Sequence, residues 1–363
     1  MYKSFKVRNF RCFRELELNE LELVNLIAGV NNVGKTALLE AIFLHCGTYN
    51  PELVLRINAF RGIEIMAFRL GYWIEHPLSS YFNQFDVTKT IELSGKHTTV
   101  GCWTVRLRTL EKALQGGASI IDGSSISHDT GEPGRVLSSS ETAKVLELEY
   151  EKGDKRTKYH LILDKEGVHV DPSPPAPPFQ TFFQGDRVHI PSSEQARLYG
   201  NLEIRGEQND VLEALKMVEP RLKRLAVVAV AGGSMLHGDT GMGRLVPLPD
   251  MGGVIDRLLN FILYIGNAPN GVVLIDEIEN GLHHSIMSDV WKAIALAARQ
   301  SNTQVFATTR SWECIRAAHE AFTSSEKYDF RLHRLDKFND EITVVTYSQR
   351  SLATSLEAGL EVR

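Results

Sequence analysis

Two groups of side chains in this sequence have the types and spacing of a phosphate-handling site. The first is Gly29-Val30-Asn31-Asn32-Val33-Gly34-Lys35-Thr36-Ala37, which fits the pattern GxxxxGK[ST] between a short apolar run and an apolar helix start. Its glycines let consecutive backbone N–H groups curl around a β-phosphate, while Lys35 reaches the β and γ oxygens and the Thr36 hydroxyl can ligate Mg²⁺. Gly29, Asn31, Asn32, Val33, Gly34, Lys35, Thr36 and Ala37 are therefore the candidate binding residues. The second group is Val272-Val273-Leu274-Ile275-Asp276-Glu277, an apolar run ending in two carboxylates. In a phosphate-loop enzyme an Asp at the end of the neighbouring buried strand holds Mg²⁺ through water. A following Glu can orient and polarise an attacking water. Taken alone, the second run is equally a strand ending in solvated acids; paired with the first it reads as a reaction centre.

The elements that must position these groups follow from periodicity. Leu23 to Ala28 reads as a buried strand, and the helix after Thr36 carries Leu38, Leu39, Ile42 and Phe43 on a stripe expected to face a sheet, with Gly47 ending it. Tyr2 to Phe10 reads as an edge-capable strand, followed by a second one through Leu16 and Leu18. A helical region over 51–73 precedes strands over 85–110, and residues 115–141 are Gly, Ser and Asp with little to bury. Strands resume at 144–151 and 158–163, and the proline run over 171–178, which suits neither helix nor strand, crosses back to the main domain. Beyond it, helices are expected over 211–225, with a break at Pro220, and over 255–265, 284–298 and 312–322. Strands are expected at 303–309, 328–335 and 342–347.

Composition bounds the function. A chain of 363 residues that is 43% hydrophobic can bury a large core. A net charge of -5 argues against a wholesale nucleic-acid coat, although the first fourteen residues carry Lys3, Lys6, Arg8, Arg11 and Arg14. The four cysteines form no CxxC pair and suit a reducing compartment. Neither a signal peptide nor a membrane-length apolar run occurs, so a cytoplasmic protein with no membrane partner is expected. His283 and His284 are adjacent, with no further Cys/His spacing, and make a poor metal site.

The order of these motifs resembles the ATP-binding-cassette heads of the RecF/SMC-like superfamily, and most closely the short AAA-labelled bacterial ATPases related to OLD proteins. FKVRNFRCFRELEL looks like that family's opening strand, GVNNVGKTALLEAI its Walker A loop and helix, VVLIDEIENGLHHSIM its Walker B strand and D-loop, and QVFATTRSWECI the strand to its switch residue. The resemblance implies an α/β P-loop NTPase of the ABC-ATPase head type, with an inserted β-rich lobe and no coiled coil. Residues 1–84 and 179–363 would be the two parts of the head and residues 85–178 the lobe.

It also implies ATP and Mg²⁺ as cofactors. Lys35 and Thr36 would hold phosphates and metal, Asp276 the metal's water shell, and Glu277 the nucleophilic water. Arg11 falls where the family's NFRxF motif puts a basic residue near the nucleotide; a solvated first-strand position is the alternative. The signature turn that closes on the opposite subunit's nucleotide would be Gly252-Gly253, before the helix containing Arg257, although its serine-rich lead and second spaced glycine are absent. Gln84 is a candidate for the Q-loop. Where relatives carry histidine after ATT, this chain has Arg310, a permanent cation that can contact phosphate but cannot act as a neutral acceptor. OLD nucleases add a TOPRIM domain, and only a short tail with no acidic cluster follows Arg310 here.

A bare head of this kind would form a homodimer, constitutive or ATP-dependent, hydrolyse ATP, and regulate a separate effector such as a nuclease or toxin in antiphage defence. A nucleotide-gated scaffold with little turnover is the alternative motivated by Arg310. A DNA repair or recombination ATPase, with DNA as direct partner, is the alternative motivated by the basic first strand.

Overall fold

The computed structural model describes residues 1–62, 78–113, 142–164, 167–186, 190–230 and 232–363. Residues 63–73 of the helical region read over 51–73 and all of the Gly/Ser/Asp stretch over 115–141 lie outside the described residues. Strands β1 (Tyr2–Phe10) and β2 (Phe13–Leu18) form a hairpin, and β3 (Val24–Ala28) runs into the glycine loop, followed by helices α1 (Lys35–Gly47) and α2 (Leu53–Phe60). Strands β4 (Ile91–His97), β5 (Gly101–Ala113), β6 (Thr142–Lys152), β7 (Lys155–Asp164) and β8 (Gly167–Asp171) follow as an antiparallel series, and the proline run then leads to β9 (Thr181–Gln184). Helices α3 (Ser192–Arg205) and α4 (Gln208–Lys216) precede β10 (Arg224–Val230), β11 (Gly233–Asp239) and β12 (Val246–Pro247). The chain continues through α5 (Gly253–Gly266), β13 (Val272–Ile275), α6 (Met287–Ser301), β14 (Gln304–Thr309), α7 (Trp312–Thr323), β15 (Phe330–Phe338), β16 (Glu341–Tyr347) and α8 (Gln349–Glu357).

Two large sheets result. The six-stranded sheet has the order β16-β15-β3-β14-β13-β9, parallel except for β16. The seven-stranded sheet has the order β2-β1-β4-β5-β6-β7-β8 and is antiparallel throughout. The first strand is thus interior, paired on both sides, and not an edge. Strands from segments distant in sequence complete this sheet, so the β-rich segment extends the β1–β2 hairpin.

Side-chain alternation assigns each face of the parallel sheet to one core. Val273 and Ile275 of β13 and Val305 and Ala307 of β14 pack against the helical layer that includes Leu258, Trp291 and Ile315. Val272, Leu274 and Phe306 face the opposite way, toward α1 and the antiparallel sheet. Helix α1 lies between the two sheets, and this explains why the expected one-sided stripe is not what is found. Every residue from Ala37 to Cys46 is buried, including Glu40 and His45. A helix with sheet on both sides has no solvent face to mark with polar residues.

Two further elements differ from the sequence reading. The helix expected over 211–225 ends at Lys216, and β10 begins at Arg224 as half of a hairpin with β11. Helix α3 had no counterpart in that reading. Among the described residues the longest helix is α6, at 15 residues, so they contain no coiled-coil arm. No helix among them is long and apolar enough to cross a membrane.

Candidate functional site

Parallel strands deliver the two chemical groups to one edge of the sheet. In the order β3-β14-β13-β9 the loop after β3 and the carboxylates after β13 both leave from carboxyl ends, where α/β sheets place their ligand crevices. Gly29 and Gly34 have φ of 150° and 107°, backbone that L side chains rarely adopt. At Gly34 a Cβ would also meet Cys12 Sγ at 2.7 Å and Phe13 Cζ at 2.9 Å, so β2 closes against the loop.

Lys35 folds its ammonium back over the loop, donating to the carbonyls of Gly29 at 2.7 Å and Val30 at 3.0 Å. Burial pushes this ammonium below the ordinary lysine value, and the carboxylates of Glu277, Glu279 and Asp276 pull it back up. The Thr36 hydroxyl donates to Asp276 Oδ2 at 2.9 Å, and the Thr308 hydroxyl donates to Oδ1 at 2.6 Å. Burial raises the Asp276 carboxyl above its usual range while those two hydrogen bonds act against the shift. A threonine hydroxyl beside a buried carboxylate is the oxygen donor set that Mg²⁺ takes, with water and phosphate completing its shell.

Glu277 adopts φ of 46°, a left-handed conformation held from three sides. Its N–H donates to Thr308 Oγ1 at 2.8 Å, its carbonyl accepts from Arg257 Nη2 at 2.9 Å, and its carboxylate accepts from Asn280. Asn280 also donates to Asp186 at 2.6 Å. Arg310 stands at the mouth, its side chain half exposed, with Nη2 3.8 Å from Glu277 Oε2 and its N–H donating to Glu279 at 2.8 Å. The cleft formed here measures about 690 Å³ and is lined by residues of the loop, by Asp276, Glu277 and Arg310, and by Glu40, Phe60, Arg61 and Phe183.

The structure therefore gathers Asn31, Asn32, Gly34, Lys35, Thr36, Ala37, Asp276, Glu277 and Arg310 around one space. Gly29 and Val33 shape the loop behind it. Four other candidate residues stand elsewhere. Gly252 and Gly253 cap α5, outside this lining. Arg11 is neither in the lining nor solvated: its side chain is 10% exposed and lies 2.6 Å from Glu40 through Nε, without the alignment of a hydrogen bond. Gln84 is exposed on a short turn. The glutamine that ends a strand beside Asp276 is Gln184, whose carbonyl accepts from the Asp276 N–H at 2.9 Å. Sequence reasoning missed Glu40 and Arg61; the available signal was a lone carboxylate between Leu39 and Ala41 in an otherwise apolar helix.

Comparison with known proteins agrees with this geometry. Residues 1–165 match the family described as "AAA ATPase domain". Residues 121–311, more than half of the chain, match the family described as "AAA domain, putative AbiEii toxin, Type IV TA system". The chain belongs to this AAA-domain family. ATP binding is the property the AAA domain brings, and a capacity for its hydrolysis goes with it.

A stretch of 96 residues is 46% identical to "Uncharacterized protein MJECL10" of Methanocaldococcus jannaschii, covering 26% of this chain and 41% of that protein. The match thus spans less than half of that relative's length. Among solved structures, an SMC head bound to the C-winged helix domain of ScpA aligns over 98% of this AAA domain and 99% of that chain, with a TM-score of 0.51 and 11% identity. The SMC head of Thermotoga maritima aligns over 96% and 99%, with a TM-score of 0.41 and 11% identity. The fold is that of an ABC-type ATPase head with a β-rich lobe.

Proposed function

We propose that this AAA domain is an ATP-hydrolysing head that closes as a homodimer around ATP and controls a separate effector, a nuclease or toxin, in genome defence. The observation that carries the hydrolytic part is the convergence of Lys35, Thr36, Asp276 and Glu277 on one cleft, each held by neighbours that fix its direction. The loop amides and Lys35 would bind the β and γ phosphates, Thr36 would ligate Mg²⁺ and Asp276 would hold its water shell. That ion, when bound, neutralises charge on the phosphate oxygens. Glu277, fixed by Thr308, Arg257 and Asn280, orients the attacking water, so that ATP and water become ADP and phosphate. The regulatory part rests on the family's description, which names a toxin of a type IV toxin–antitoxin system. Kinship with the OLD-related ATPases belongs to the same reading, as does the division into head parts at 1–84 and 179–363 with a lobe at 85–178.

Lys35→Ala is expected to lose calorimetric binding of a non-hydrolysable ATP analogue, because no other group in the loop replaces that charge. Glu277→Gln is expected to bind ATP but turn it over at least 100-fold more slowly. Equal analogue affinity in wild type and Lys35→Ala would sink the assignment. Arg310 favours a second reading, a nucleotide-gated scaffold with slow turnover. Direct duplex binding draws little support: Lys6 pairs with Glu15 and Glu17, Arg8 with Glu15 and Glu92 and Arg14 with Glu341, and Arg11 is buried beside Glu40, so most of the basic N-terminal residues face carboxylates within the chain.

A further inference from the structure

Strand β9 carries a carboxylate to the level of Glu277. The register of β9 and β13 sets Gln184 opposite Ile275, and the Asp276 N–H donates to the Gln184 carbonyl at 2.9 Å. Two residues further along each strand, Asp186 and Glu277 therefore emerge at the same edge of the sheet, and both line the cleft with Lys35 and Thr36.

Asn280 stands between the two carboxylates. The turn after β13 closes with the Asn280 N–H donating to the Glu277 carbonyl at 3.0 Å, which brings the Asn280 amide back over its own turn. Its Nδ2 donates to Asp186 Oδ1 at 2.6 Å and to Glu277 Oε2. A side-chain amide nitrogen has two hydrogens, and one for each carboxylate uses both. A carboxylate only accepts, so turning the amide over would set its carbonyl oxygen against two acceptors at once. Asp186 thereby doubles the preference that Glu277 alone would impose. With Oε2 given to Asn280, the oxygen that Glu277 offers to a water is Oε1.

Asp186 also acts on the other side chain that holds Glu277. Arg257 Nη2 donates to the Glu277 carbonyl at 2.9 Å. Burial pushes the Arg257 guanidinium below its usual value, and Asp186 leads the carboxylates that pull it back up. One side chain on β9's exit thus bears on the donor to the Glu277 carboxylate and on the donor to its carbonyl.

We propose that Asp186 is a positioning residue for hydrolysis: by orienting the Asn280 amide it fixes the Glu277 carboxylate with Oε1 turned to the attacking water. This rests on the reading of the cleft as an ATP-hydrolysing site and assigns to it a residue outside the two sequence motifs. Because Asp186 acts through Asn280, it governs the rate of the chemical step and not the affinity for nucleotide.

The test compares wild type, Asp186→Ala, Asp186→Asn, Asn280→Ala and the double variant Asp186→Ala/Asn280→Ala by single-turnover hydrolysis, calorimetric binding of a non-hydrolysable ATP analogue, and urea unfolding. Asp186→Ala should slow hydrolysis roughly tenfold or more while weakening the analogue less than about threefold. Asp186→Asn, which keeps an acceptor oxygen for the amide, should recover part of the rate. With Asn280→Ala in place, Asp186→Ala should cost less than about threefold more, and the urea midpoint of the double variant should fall by less than the sum of the single falls. Additivity in either measurement, or analogue affinity falling in step with rate, overturns the proposal. Wild type that binds the analogue but releases no phosphate overturns the hydrolytic reading and this proposal with it. Hydrolysis lost in Glu277→Gln yet untouched by Asp186→Ala overturns this proposal alone.

Discussion

Arg310 and Glu277 meet at the cleft mouth as a loose pair, 3.8 Å apart and too far for a hydrogen bond. A permanent cation here can stabilise charge on a phosphate but cannot accept a proton from water. If a neutral acceptor is what the reaction lacks, Arg310→His should raise single-turnover hydrolysis, measured with enzyme in excess so that product release does not mask the step. One transition-state contact of this kind is worth roughly 3 kcal/mol, on the order of 100-fold in rate. Arg310→Ala should lower ATP affinity without a further large loss of rate. Should both variants abolish turnover that wild type performs well, Arg310 acts on the developing phosphate charge and the slow-turnover reading fails. At this scale most of the site was legible, because a phosphate loop and a strand ending in Asp-Glu declare themselves in consecutive residues. What was not legible is what stands across from them: Glu40 and Arg61 share no local pattern, and only the packing of α2 against α1 joins them.

Elements tell a similar story about local and non-local information. Strands β3, β13 and β14, each a short apolar run with a turn or carboxylates after it, were readable one at a time. Which sheet β1 belongs to was not, since β4 reaches it from across a long stretch of chain, and pairing partners leave no trace in alternation. Helix α1 shows the consequence. Because it is enclosed by both sheets, His45 is fully buried on it, its Nδ1 2.8 Å from Tyr2 Oη and its Nε2 3.2 Å from the Trp103 carbonyl. Burial lowers its pKa from 6.5 to about 3, and burial does the same to His333 on β15. Both histidines stay neutral in the fold and take up a proton on unfolding once the pH falls below about 6.5. Their contribution is complete above that value and is lost as pH falls toward about 3. Each costs about 1.4 kcal/mol of stability per pH unit in that window. Urea midpoints between pH 7 and pH 4 should therefore fall more steeply for wild type than for His333→Gln. Parallel curves would show that His333 does not titrate across unfolding.

At the scale of the whole molecule, the cleft has a side that is open among the described residues. Val30, at the tip of the phosphate loop, is 62% exposed, and Arg310 is about half exposed beside it. Water in such a site screens the charges that hydrolysis must organise, so a second surface laid over it would strengthen them. Within one chain, Gly252 and Gly253 begin α5 outside the cleft lining, with φ of 113° at Gly252 and nothing within 4 Å of a Cβ at either. The Gly252 N–H donates to the Pro249 carbonyl at 3.4 Å, and Gly253 opens a helix whose positive end suits a phosphate. Arg257, one turn along the same helix, holds the Glu277 carbonyl, so that a phosphate seated on the turn from a second copy would be linked through one helix to the first copy's carboxylate. ATP should accordingly drive two copies together, most clearly in Glu277→Gln, where the nucleotide persists. Sedimentation of that variant should show the dimer population rising at least tenfold with ATP over ADP. If dimer is present throughout, the measurement becomes a cysteine cross-link between Gly253→Cys on one copy and Asn31→Cys on the other, with exposed Cys12 and Cys102 first changed to serine. A nucleotide-dependent cross-link places the α5 turn of one head over the phosphate loop of the other; its absence with ATP bound would mean the open side is covered by something other than a second head.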